Sequence, residues 1–307
     1  MKLSQTNGPI LHYYDGDEYA SLLHLKNAGF KYVDISFWSR YTPGSRYFST
    51  SNDVLADEYK KILEELELVP VQSHEPFGNS LGEDNGRFYL KKTPLAIELA
   101  GKIGIPSITL HAGINITPMS REEYMEKNVQ ILKALIPYAE KYGTRLLLEN
   151  LAWKVDGVHL AGADDLNELL DRLNHPLFGV CCDTGHANLC NLDQYDEIKK
   201  LGSRLEGLHV HDNYGGIKAP NCDLHQLPYY GNVDFDGLIT ALLEIDYKGT
   251  FNFEVDAPSR QFANSLGKEG KGQGKLKQRP VFMRQEAEKF LYKIGKEMLE
   301  SYDCFEE

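Results

Sequence analysis

Acids and histidines in this chain recur at one kind of place, the end of an apolar run. Val180-Cys181-Cys182-Asp183-Thr184-Gly185-His186 stops such a run at an acid and adds an imidazole three residues later. A buried strand ending this way hands Asp183 and His186 to one pocket, and a carboxylate beside an imidazole is a donor pair for a divalent cation. The competing reading is an Asp that caps the N-terminus of a following helix. The same ending is repeated elsewhere. Val69 to His74 and Ser107 to His111 each close on a histidine, and Arg145-Leu146-Leu147-Leu148-Glu149 and Thr250-Phe251-Asn252-Phe253-Glu254 each close on an acid. Burying the Glu149 charge unpaired would cost on the order of several kcal/mol, so it calls for a cation, a donor network or a proton.

His209-Val210-His211 places two imidazoles two residues apart, on one face of a strand. His209, the deeper of the two, is the first choice as a metal ligand. His211 is then a candidate for touching substrate or a second ion. Asp223-Leu224-His225 follows in the next loop and falls on the same rim.

The elements that must carry these residues alternate regularly. Strands are expected to begin near Leu3, Lys31, Val69, Ser107, Arg145, Leu177, Leu205 and Thr250, with helices over Asp17–Ala28, Asp53–Leu68, 86–103, Arg121–Tyr142, Ala163–Leu173 and 234–246. Eight strand–helix alternations predict an α/β fold, a single (β/α)8 TIM barrel spanning 1–307, whose chemistry lies at the C-terminal ends of the strands. A doubly wound sheet is disfavoured, because no glycine-rich phosphate loop follows the first strand. The loop 38–52, rich in Tyr, Arg, Ser and Gly, is long enough for a lid or binding rim, and Trp38 is placed there to stack on a sugar ring or pack at a subunit contact. Glycines and lysines dominate 266–278, so a mobile loop is expected over about 258–278, followed by a C-terminal helix over 279–302.

Composition narrows the partners. A formal charge of -12 argues against affinity built on nucleic-acid phosphates or anionic lipid. Five cysteines without a CxxC pair suit a reducing compartment, and the N-terminus has no apolar signal core, so a cytoplasmic location is expected.

Taken together, Leu148-Glu149-Asn150, Cys182-Asp183-Thr184-Gly185-His186, His209-Val210-His211-Asp212-Asn213, Asp223-Leu224-His225 with Gly231-Asn232-Val233-Asp234, and Phe253-Glu254-Val255 resemble the xylose-isomerase-like sugar isomerase/epimerase superfamily over about 1–257. The resemblance implies one divalent ion (Mn, Co, Mg or Zn) held by Glu149, Asp183, His209 and Glu254. It makes Glu149 and Glu254 the catalytic proton carriers beside a substrate carbonyl, with an enediolate held on the metal. His186 goes to the substrate, and His74, His111, His211, Asp223, His225 and Trp38 complete the expected substrate-binding set. The implied partner is a small carbohydrate, with no nucleic acid and no membrane, and the resemblance is compatible with a homo-oligomer. Type-four AP endonucleases share the superfamily and use three zinc ions, with ligand types matched at His74, His111, Glu149, Asp183, His186, His209, Asp223, His225 and Glu254. A zinc-dependent phosphodiesterase is therefore the main alternative. A keto-polyol dehydratase or sugar lyase and a non-catalytic sugar-binding barrel are the others.

Overall fold

The computed structural model describes residues 1–82, 86–114, 118–152, 160–215, 222–256 and 281–307. Eight strands lie in chain order around one sheet: β1 (Leu3–Thr6), β2 (Tyr32–Ser36), β3 (Val69–His74), β4 (Ser107–His111), β5 (Arg145–Glu149), β6 (Phe178–Asp183), β7 (Leu205–His209) and β8 (Phe251–Phe253). Each neighbouring pair from β1 to β7 is parallel, β8 pairs parallel with β1, and a parallel bridge Val210–Phe253 brings β7 to β8. Val210 N donates to Asn252 O at 2.8 Å and Glu254 N to Val210 O at 3.1 Å, so the sheet closes into a barrel. All eight strands lie close to the expected positions. Parallel strands are covered on both faces, so β2 and β6 are buried at every position, polar residues such as Asp34 and Asp183 included.

The helices of the outer layer are α1 (Gly8–Leu11), α2 (Glu18–Ala28), α3 (Arg46–Ser49), α4 (Asn52–Glu65), α5 (Arg87–Ile103), α6 (Arg121–Lys133), α7 (Ile136–Tyr142), α8 (Ala163–Leu173), α9 (Thr184–Leu189), α10 (Gln194–Leu201), α11 (Phe235–Glu244) and α12 (Val281–Glu300). The single helix expected over Arg121–Tyr142 is two, because Pro137 cannot donate a helical hydrogen bond and its ring crowds the preceding turn; it sits instead in the first turn of α7. Leu177 to His211 carries α9 and α10, both started by acids acting as caps: Asp183 accepts from His186 N and Asp193 from Asp196 N. The expected mobile loop at 258–278 lies outside the described residues, as do 279 and 280 of the expected C-terminal helix; that helix is described over Val281–Glu300 and ends before the expected 302. Among the described residues no helix is long and apolar enough to cross a membrane.

α12 packs on α2 and β1, and it approaches the barrel closely at Gly295, where an added Cβ would stand 2.6 Å from Phe253 Cε2. One turn apart on this helix, Arg284 and Glu288 form a buried ion pair, and Arg284 Nη2 also donates to Val255 O at 3.1 Å. Burial pushes the Glu288 carboxyl up from 4.5 to about 7, and Arg284 offsets this only in part. An acid whose folded pKa lies above its unfolded one stabilises the fold fully below the unfolded value, and that contribution is lost as pH rises through the folded value. Between pH 4.5 and about 7 the wild-type urea midpoint should therefore fall more steeply than that of Glu288→Gln. The difference should reach at most about 3 kcal/mol. Parallel stability curves for the two proteins would refute this.

Candidate functional site

Strand order brings the chain's separated acids and histidines to one rim, since consecutive strand ends of a barrel are neighbours in space. Glu149, the last residue of β5 and 1% exposed, is the hub. Its Oε1 lies 3.3 Å from His186 Nδ1 and 3.3 Å from His209 Nδ1, and its Oε2 lies 3.1 Å from His111 Nε2 and 3.5 Å from His74 Nε2. Burial alone would raise its pKa. The imidazoles of His111 and His209, with hydrogen bonds from His111 and His186, outweigh burial and hold the carboxyl well below its usual range.

Asp183 closes β6 and is fully buried. Its Oδ1 accepts from His186 N at 2.6 Å, and its Oδ2 meets His211 Nε2 at 3.0 Å. Asp183 is a helix cap and also faces an imidazole: one oxygen starts α9 while the other meets His211. Asn150 fixes the backbone here. Its Oδ1 accepts from Asp183 N at 2.7 Å and its Nδ2 donates to Asp183 O at 2.9 Å. Gly185 makes room for His211, because a Cβ there would fall 1.9 Å from His211 Cε1.

His209 is fully buried at the end of β7, with Nδ1 3.3 Å from Glu149 Oε1 and 3.4 Å from Glu254 Oε2. His211, two residues on, turns to Asp183 and stacks on His225 with ring centroids 3.9 Å apart. The two imidazoles therefore serve different carboxylates. His225 bonds through Nδ1 to Glu254 O at 2.8 Å and through Nε2 to Asp223 Oδ2 at 3.1 Å. Desolvation would raise half-buried Asp223, but His225, His186 and His211 hold it well below its usual value.

Hydrogen bonds to backbone carbonyls set the tautomers. His74 Nδ1 lies 2.9 Å from Glu75 O and His186 Nδ1 lies 2.9 Å from Asn150 O, so each ring donates from Nδ1 to a backbone carbonyl. Burial opposes their charging, but the neighbouring carboxylates outweigh it and raise both imidazoles above their ordinary value. His74 Nε2 faces Glu149 Oε2 at 3.5 Å, a contact that a proton or a cation between the two atoms makes favourable. Carboxylates and imidazoles converging in this way are the donor set of a cation site.

Among the described residues, four groups of donors lie close enough to hold a metal ion: His74, Glu149 and His209; His186, Asp223 and His225; His211, His225 and Glu254; and Glu149, Asp183, His209 and Glu254. In each, one ligand atom per residue falls within 4.8 Å of every other. The last group is the four-ligand set expected from the sequence. Its nitrogen-and-oxygen chemistry fits Mn²⁺, Co²⁺, Mg²⁺ or Zn²⁺.

Above these residues opens a cavity of about 290 Å³, lined by His74, His111, Glu149, His186, Asp223, His225 and Glu254, with Trp38, Ser39 and His12 toward the mouth. Trp38 is half-exposed and meets His74 edge-on at 5.0 Å and Phe77 at 4.6 Å between centroids. A larger hollow of about 360 Å³ lies beside the N-terminal ends of β1 and β8, among Met1, Tyr247 and Phe305, away from every one of these ligands.

Two acids near the cluster were not anticipated. Buried Glu75 follows His74; its Oε1 accepts from His111 N at 2.6 Å and lies 3.7 Å from His111 Nδ1. Asp34 is fully buried in β2, with Oδ2 3.7 Å from His209 Nε2. Unlike Glu149, Asp34 lies within its strand rather than at the end, and Glu75 lies in a polar stretch, so neither carries the strand-end signal.

Comparison with known proteins agrees with this architecture. The chain is 26% identical over 231 residues to 2-oxo-tetronate isomerase of Haemophilus influenzae, covering 72% of this chain and 81% of that protein. The chain also matches L-ribulose 3-epimerase of Methylomonas sp. at 28% identity over 137 residues, covering 45% of this chain and 44% of that protein. Among solved structures, D-psicose 3-epimerase in the presence of D-fructose superposes with a TM-score of 0.74 at 15% identity, covering 97% of this chain and 99% of that one. The IolI protein with a zinc atom gives 0.68 at 19% identity, covering 84% and 90%. At such identities the likeness is one of fold. The model of the xylose isomerase-like TIM barrel family matches residues 22–279, and the chain belongs to that family.

Proposed function

We propose that this barrel is a divalent-metal-dependent sugar isomerase or epimerase, moving a proton at the carbon beside a carbonyl. The observation that carries this reading is the convergence of two glutamates, Glu149 from β5 and Glu254 one residue past β8, with Asp183 and His209 on one point at the floor of an open cavity. Proton transfer at such a carbon needs a base and an acid flanking it, and a paired carboxylate set supplies both. A divalent ion held by Glu149, Asp183, His209 and Glu254 would polarise the carbonyl and stabilise the negative charge that develops on the substrate oxygens.

The chain's own residues do the rest. Glu149 and Glu254 exchange the proton, one removing it and the other returning it. His186, its Nδ1 proton held on Asn150 O, offers Nε2 to a substrate hydroxyl. Trp38 gives an apolar face at the mouth for the sugar's C–H groups. The related isomerase supports the same class of chemistry.

A second reading has its own observation. The three-residue groups around His74 and His186, beside the four-residue group, also suit a three-zinc phosphodiesterase acting on abasic DNA. The net charge of -12 weighs against it, since phosphate contacts rest on basic surface. Metal content separates the two. Protein purified without chelator is expected to carry about one Mn, Co, Mg or Zn per chain and to place deuterium beside the carbonyl of its sugar in D₂O. Close to three Zn per chain, with cleavage of abasic DNA, would replace the isomerase reading by the phosphodiesterase.

A further inference from the structure

Asp34 stands in the middle of β2 with its side chain fully buried inside the barrel. Its Oδ2 accepts hydrogen bonds from Gln72 Nε2 at 3.2 Å and Asn252 Nδ2 at 3.1 Å, and its Oδ1 has no hydrogen-bond partner. Both amides are held for this task. Asn252 Oδ1 takes the Ser4 hydroxyl at 2.7 Å, which turns Nδ2 toward Asp34. Gln72 uses the space left by Gly207, where a Cβ would stand 2.7 Å from Gln72 Oε1. Two neutral amides orient a buried carboxylate but do not neutralise it.

What faces Asp34 is His209. Its Nε2 lies 3.7 Å from Asp34 Oδ2, an ion-pair rather than a hydrogen-bond distance, while its Nδ1 lies 3.3 Å from Glu149 Oε1 and 3.4 Å from Glu254 Oε2. The ring therefore bridges two sets of carboxylates, one at the cavity floor and one in the barrel interior. A nitrogen that ligates a cation must present its lone pair, so the proton must sit on the other nitrogen. A carboxylate behind that other nitrogen selects the tautomer, fixes the ring and raises its basicity.

We propose that Asp34 is a positioning residue for the candidate metal centre: its carboxylate holds Nε2–H of His209 so that Nδ1 presents its lone pair between Glu149 and Glu254. The assignment rests on the metal-dependent reading above. If Asp34 served only to hold Gln72 and Asn252 in the barrel, removing its charge would alter stability but neither metal affinity nor the tautomer of His209.

Two measurements test it. Cobalt affinity is read by chelator competition on the wild type and on Asp34→Asn, which preserves size and removes the charge; the variant is expected to bind about 10–100-fold more weakly. On zinc-loaded wild type labelled with ¹⁵N-histidine, the His209 ring, assigned by comparison with His209→Gln, is expected to carry its proton on Nε2 and none on Nδ1. The second measurement needs no folded variant. Cobalt affinity within twofold of wild type in Asp34→Asn, or a His209 proton on Nδ1, overturns the assignment alone. Failure of the wild type to take up cobalt or zinc overturns it together with the metal-dependent reading.

Discussion

Glu149→Gln is expected to lower turnover by about 10³-fold or more, to weaken divalent-metal binding, and to leave the barrel folded. The side chain is the hub of the site: four imidazoles approach its two oxygens within 3.5 Å. Glutamine keeps the shape and one acceptor oxygen and replaces the other oxygen by an amide that donates. What it loses is the charge that attracts the metal and the basic oxygen that takes the proton. Glu254→Gln is the companion variant. Its carboxylate is partly exposed and touches His209 and His225, so a similar loss of turnover is expected with a smaller structural effect. Circular dichroism and metal uptake on each variant, beside turnover of ketoses in D₂O, make the comparison. Normal turnover by either protein would sink the paired-glutamate mechanism.

The second large effect comes from removing space rather than charge. Gly185→Ala should destabilise the protein by about 3 kcal/mol or more and abolish turnover, because overpacking a filled site forces neighbours out of their rotamers. The new Cβ would meet three atoms of the His211 ring, Cε1 at 1.9 Å, Nδ1 at 2.5 Å and Nε2 at 2.7 Å. The ring cannot retreat easily. His211 is pinned at its backbone, where its carbonyl accepts from Thr184 Oγ1 at 2.8 Å and its N–H donates to the same oxygen at 3.1 Å. On one side the imidazole is stacked on His225. The clash must therefore break the His211–Asp183 contact and disturb the N-terminus of α9. A Gly185→Ala protein with wild-type melting temperature and activity would show that this packing is not needed.

Much of this site was legible in the chain because a barrel converts sequence position into place. Glu149, Asp183, His209 and the residues before them were apolar runs closing on a polar side chain, and in a (β/α)8 fold each such ending falls on one rim. Asp34 lacks that signal, since it lies within its strand rather than at the end. The break between α6 and α7 was written in Pro137. α9 and α10 were not marked out, because helices of six and eight residues give too little periodicity to stand against the neighbouring strands.

By itself the sequence determined the strand count, the alternation with helices and the identity of the donors at the strand ends. Local periodicity and turn residues encode those features directly. Only the tertiary structure decided which nitrogen of each histidine faces which carboxylate, that His209 and His211 serve different acids, and that Asp34 and Glu75 stand behind the cluster. Those relations join residues up to 175 positions apart, as Asp34 and His209 are. They are fixed by barrel closure and by the space left at Gly185 and Gly207, where no side chain occupies the room an imidazole or amide needs.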